Sequence, residues 1–81
     1  MLIRDELQGT VLTGFGARVR ELREQSRISQ EEFAHLAGLD RSYIGQVERG
    51  ERNLSLFNIF KIAKGLNVPL RDLFTILDEQ A

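Results

Sequence analysis

Cysteine is absent from the 81 residues, which rules out disulfides and thiolate metal sites. Histidine occurs once, as His35, too few for a multi-histidine centre. Nowhere is there an apolar run of the roughly 18 residues that a membrane span needs. Arg4, Asp5 and Glu6 break up the start of the chain, which therefore does not read as a signal peptide. A cytoplasmic location and no membrane partner are the expectations. A phosphate-cradling glycine loop, a cluster of metal ligands and a histidine paired with a nucleophile are all missing. Those gaps speak against an enzyme, and no cofactor or small-molecule ligand is expected. An excess of basic charge is missing too: the net charge is −1 and the pI about 5.8, low for a nucleic-acid-binding protein. The distribution tempers this. Residues 1–6 carry −1 and residues 71–81 carry −2, which leaves +2 for residues 7–70. Phosphate binding depends on where the bases sit more than on their sum.

What is present is an ordinary globular composition, 42% apolar, in a chain long enough for one small core. Small domains without covalent staples often gain stability by self-association. No linker, repeat or low-complexity segment appears, and no alternating strand pattern. Apolar residues recur instead with a helical period between short polar and glycine marks, so the fold class is all-α with five helices. The organisation expected is an N-terminal arm or short helical extension over 1–12, a helical domain over 13–78 and a tail over 79–81.

The first helix is expected from about Thr13 to Gln25, with Phe15, Val19 and Leu22 inward and its start blurred by Gly14 and Gly16. The second follows Ser29, whose spacing to Glu32 fits a reciprocal capping box. Phe33, Leu36 and Ala37 face its core, and Gly38 closes it in a left-handed conformation. The third follows Asp40 as N-cap, carries Tyr43, Ile44 and Val47 as its apolar stripe, and stops at Gly50. The fourth follows Ser55, uses Leu56, Ile59, Phe60, Ile62 and Ala63, and ends near Gly65. Pro69 suits the first turn of a fifth helix, which bears Leu70, Leu73, Phe74, Ile76 and Leu77.

Two short helices joined by a glycine-containing turn form the layout of a helix-turn-helix, spanning roughly Gln30 to Arg49, whose second helix enters the DNA major groove. Ala34 is small where the helices must approach, Gly38 lies four residues on at the turn, and Ile44 six beyond that. With Ile44 and Val47 inward, Arg41, Ser42, Gly45 and Gln46 point outward. Arginine reads guanine O6 and N7, glutamine reads adenine N6 and N7, and serine accommodates either.

These residues resemble the phage Cro/repressor type of helix-turn-helix, the XRE family. The resemblance covers about Phe15 to Phe74. It is carried by the run Ile28 to Ala34, by Ala37-Gly38-Leu39, by Tyr43-Ile44 with Val47 to Gly50, and by Leu66-Asn67-Val68 before Leu73-Phe74. Within the family the runs Leu39 to Ile44 and Glu48 to Leu54 are most similar to controller proteins of restriction–modification systems and related stand-alone regulators. Pro69 departs from the pattern, which often has a serine cap there.

The resemblance implies a lambda-repressor-like domain that binds a palindromic operator as a homodimer. By position, Arg41, Ser42 and Gln46 would read bases, and Gln30, Arg52 and Asn53 would hold the DNA backbone. Arg23 and Glu48 would form a buried ion pair between the first and third helices. Tyr43 would touch phosphate or a thymine methyl, or else only cover the core. Arg49 would meet phosphate or lie in a solvated face. Ser29 is a cap before it is a phosphate contact, and His35 reads as a partly exposed helix residue. The surplus apolar residues of the fifth helix mark a dimer interface: Leu70, Phe74, Ile76 and Leu77, joined by Leu2, Ile3 or Leu7. The alternative is that they pack within the monomer. A rival function uses the same fold as an antitoxin or protein-interaction module. Such a module would suit the acidic pI.

Overall fold

The computed structural model describes residues 4–79. Leu2 and Ile3, named above for the dimer interface, lie outside them, as do residues 80 and 81 of the tail. Five helices follow one another: α1 Arg4–Gln25, α2 Gln30–Ala37, α3 Arg41–Glu48, α4 Leu56–Leu66 and α5 Leu70–Leu73, then a 3-10 turn over Thr75–Glu79. No strand occurs among the described residues.

One core joins them. Phe15, Val19 and Leu22 of α1 meet Phe33, Ala34 and Ala37 of α2, Ile44 and Val47 of α3, Ile62, Ala63 and Leu66 of α4, and Leu73 of α5. Phe33, Ile44, Ile62 and Leu73 are wholly buried, each contributing about 1.5–3 kcal/mol by removal from water. α2 packs on both α3 and α4, and α1 runs across α3.

Local chemistry sets most of the boundaries. The Ser29 hydroxyl accepts from the Glu32 backbone N–H at 3.0 Å, and the Ser55 hydroxyl from that of Asn58 at 3.2 Å. Gly38 closes α2 at φ 70°, and Gly50 takes φ 77° just after α3. Several expectations need correction, among them Leu36, which is 54% exposed on α2 instead of facing the core. Only the serine half of the capping box forms. Asp40 stands at the N-cap of α3 as expected, but makes no side-chain cap hydrogen bond. Pro69 stands at the N-cap of α5 rather than in its first turn. α4 ends at Leu66, next to Gly65 as expected, but its left-handed cap is Asn67, at φ 57°. Gly65 is instead a point of contact: a Cβ there would lie 2.9–3.0 Å from Ala37 of α2.

A further correction concerns α1, which begins at Arg4: residues 4–12 are the helical extension and not an arm, and they continue into the helix expected from Thr13 without a break. A glycine within a helix costs only about 1 kcal/mol, too little for Gly14 and Gly16 to interrupt a helix anchored by Phe15, Val19 and Leu22. Residues 4–10 stand exposed beyond the core. At about 1.5 Å per residue the 22-residue helix is longer than the rest of the molecule is wide, giving extents of 39 × 22 × 21 Å.

The last helix is shorter than its apolar pattern suggests. α5 covers one turn, and the chain tightens to 3-10 geometry from Thr75. Phe74 lies 6.1 Å, centroid to centroid, from Phe15, and Phe74 and Leu77 both pack against the core. Arg18 of α1 donates to the Asp72 carbonyl at 2.8 Å, tying α5 down.

Candidate nucleic-acid interface

The turn between α2 and α3 presents one end of α3 to solvent. Ile44 and Val47 are buried, while Arg41 and Ser42 in the first turn of α3 are exposed and Gln46 is half-buried. Neither Arg41 nor Ser42 has a side-chain hydrogen bond among the described residues, leaving both able to reach a ligand. His35 is exposed on α2.

An ion pair fixes the angle of α3 against α1. Arg23 donates to Glu48 through Nε at 2.7 Å and through Nη2 at 3.1 Å, while its Nη1 donates to the Ile28 carbonyl at 2.9 Å. The Glu48 side chain is only 3% exposed. Hydrogen bonding to Glu48 raises the Arg23 pKa against the lowering effect of burial. Glu48 also accepts from Gln30 Nε2 at 3.0 Å. Gln30 thus sits at the start of α2 with its amide tied to α3, and one amide hydrogen is left for another acceptor.

The remaining polar residues are linked to each other. Arg52 donates from Nε to Gln46 Oε1 at 2.7 Å, and its guanidinium lies 5.3 Å from the Tyr43 ring centroid. The Tyr43 hydroxyl accepts from Asn58 Nδ2 at 3.0 Å. Arg49 pairs with exposed Glu51 at 2.9 Å, and that hydrogen bond raises the arginine pKa and lowers the carboxyl's. Asn53 is exposed at the rim of an apolar hollow between Leu12, Phe15, Leu54 and Phe74. Gly45 is buried, not outward: a Cβ there would lie 3.1 Å from the Arg49 guanidinium and 3.8 Å from Gln30 Oε1. The structure therefore brings Tyr43, Gln46 and Arg52 together and sets Arg49 apart from them. Asn58 was not singled out in the sequence, because nothing local distinguishes it from any polar residue of a first helical turn.

The helix-turn-helix family profile matches residues 19–73, which takes in α2, the turn and α3. The chain belongs to the helix-turn-helix family, of the XRE type. It is 42% identical over 67 residues to the control protein C.MunI of a Mycoplasma species, covering 82% of this chain and 90% of that protein. It is 50% identical over 60 residues to the control protein C.BamHI of Bacillus amyloliquefaciens, covering 73% and 74%. Among solved structures, the restriction–modification controller C.AhdI of Aeromonas hydrophila aligns with a TM-score of 0.76 and 57% identity, covering 78% of this chain and 96% of that one. The controller C.Esp1396I, solved as a tetramer in complex with its natural 35 base-pair operator, aligns with a TM-score of 0.78 and 31% identity, over 86% and 92%. The chain is a DNA-binding transcription regulator and not an enzyme. No described helix is long and apolar enough to cross a membrane.

Proposed function

We propose that this helix-turn-helix protein controls transcription in the cytoplasm by binding a palindromic operator as a homodimer, with α3 of each protomer in the major groove. The carrying observation is the state of α3's first turn: Arg41 and Ser42 are exposed, without a side-chain hydrogen bond among the described residues, on a helix locked in place by Ile44, Val47 and the Arg23–Glu48 pair. Arg41, Ser42 and Gln46 are the base readers. Gln30, Tyr43, Arg52 and Asn53 are the phosphate contacts, and Arg49 joins them by exchanging Glu51 for phosphate. The operator-bound assembly of C.Esp1396I supports both DNA as partner and self-association.

Bare apolar surface supports the dimer, since such a patch on a small protein marks an interface. Leu70 is 38% exposed, and on α4 Leu56 and Phe57 are 75% and 64% exposed. The interface is Leu70 and Ile76 with the outer edges of Phe74 and Leu77, extended by this α4 face. Phe74 and Leu77 serve the monomer core as well, so the fifth helix has less to spare for another protein than its sequence suggests.

Selection from a pool of random duplexes tests the reading. Enrichment of a site with two inverted half-sites about one DNA turn apart, roughly 34 Å, is the expected result. Failure to enrich any duplex at low salt would contradict it.

A further inference from the structure

Glutamine at a reading position is ordinarily matched with adenine, because its carboxamide offers an acceptor to N6 and a donor to N7. Gln46 is not presented that way. Its Oε1 accepts from Arg52 Nε at 2.7 Å, which turns the carbonyl toward the loop after α3 and leaves the amide hydrogens to be shown. Arg52 adds its own guanidinium donors beside them. Guanine presents two acceptors in the major groove, O6 and N7, whereas adenine presents an acceptor and a donor. A donor-only pair matches the first and meets the adenine N6 amino group with hydrogen against hydrogen.

Arg52 is exposed and would wander without support. The support is a chain of contacts across three elements. The guanidinium lies over the Tyr43 ring, 5.3 Å from its centroid. The Tyr43 hydroxyl accepts from Asn58 Nδ2 at 3.0 Å. Asn58 is itself fixed in the first turn of α4, where its backbone N–H donates to the Ser55 hydroxyl. Because that bond occupies a hydroxyl lone pair, the Tyr43 proton remains available to a phosphate oxygen.

We infer that Asn58 and Tyr43 hold Arg52 against Gln46 so that the pair reads guanine, not adenine, at one base pair of each half-site, which moves Arg52 from the backbone contacts named above to the base readers. Asn58 acts here as a positioning residue and touches no base. The inference rests on the operator reading given above.

Site selection with the full chain and with variants tests it. Gln46→Ala identifies the base pair concerned as the one whose preference disappears. Wild type is expected to select guanine there. Asn58→Ala should lower the guanine-to-adenine ratio at that pair by at least about fivefold, the scale of a lost base-discriminating contact. Tyr43→Phe removes the same hydrogen bond while keeping the ring, and should act alike even if Asn58→Ala folds poorly. Adenine at that pair in wild type would overturn the inference. So would an unchanged ratio in both variants, including the case where affinity falls equally for every duplex, which is what a merely structural Asn58 would give. If wild type itself enriches no duplex, the operator reading has failed and the inference falls with it.

Discussion

Two glycines of α1 show how differently the same residue can act. A Cβ on Gly9 would meet nothing within 4 Å, whereas one on Gly16 would overlap the Val47 carbonyl and lie 2.8 Å from the Glu48 carbonyl. Gly9→Ala should therefore stabilise the protein or its N-terminal helix by about 0.5–1 kcal/mol, the helix preference of alanine over glycine. Gly16→Ala should destabilise it by about 1–3 kcal/mol, because α1 must move off α3. Thermal or urea unfolding of both variants checks the opposite signs. Glu48 is the other residue on which the site turns. Glu48→Ala leaves the Arg23 guanidinium without its counter-ion and Gln30 without its acceptor. A loss of about 3–5 kcal/mol is expected, read from the urea midpoint, and a shift within experimental error would contradict the role given to the pair. The Arg23–Glu48 pair was legible from family resemblance. The pairs Gln46–Arg52, Tyr43–Asn58 and Arg49–Glu51 were not, because long polar side chains take their rotamers from neighbours that the sequence pattern does not specify.

At the level of elements, legibility followed local chemistry. α2 was readable because its start and stop are fixed by Ser29 and Gly38, whose preferences act within a few residues. Ser29→Ala should cost about 1 kcal/mol by removing the acceptor for Glu32 N–H, measured as a lowered urea midpoint; an unchanged midpoint would show that solvent satisfies that group equally well. Where an end depends on tertiary contact, the sequence misled. Gly65 looks like a stop signal but serves close packing on Ala37, and Asn67 supplies the cap. The apolar run from Leu70 to Leu77 looks like one helix. Its register changes after Leu73, where Phe74 reaches Phe15 and the backbone adopts 3-10 geometry. The choice between arm and helical extension stayed open for the start of the first helix because its residues 4–10 bury nothing, and an apolar period cannot report a segment that has no buried face.

For the whole molecule, the all-α core and the placement of the helix-turn-helix were legible, since both follow from helical periodicity and turn chemistry. The surface proposed for a second protomer draws on two helices. The sequence pointed to the fifth helix, yet the largest bare side chains, Leu56 and Phe57, lie on α4. Phe57→Glu with Leu70→Glu should shift the protein to monomer in sedimentation at micromolar concentration while leaving its helical content intact. A dimer that survives both changes would place the interface elsewhere. The acidic pI remains compatible with DNA binding because α3 and its following loop gather Arg41, Arg49 and Arg52, while Asp72 and Asp78 lie on α5 and the 3-10 turn.

The most direct test of the account is the affinity of wild type and Arg41→Ala for the selected site and its single-base-pair variants, over a series of salt concentrations. Wild-type affinity should fall steeply as salt rises, since phosphate contacts release counterions. Arg41→Ala should lose about 1–3 kcal/mol and become indifferent to one base pair per half-site. Equal losses on every duplex would make Arg41 a phosphate contact and contradict its place as a reader. Binding insensitive to both salt and sequence would contradict operator recognition altogether.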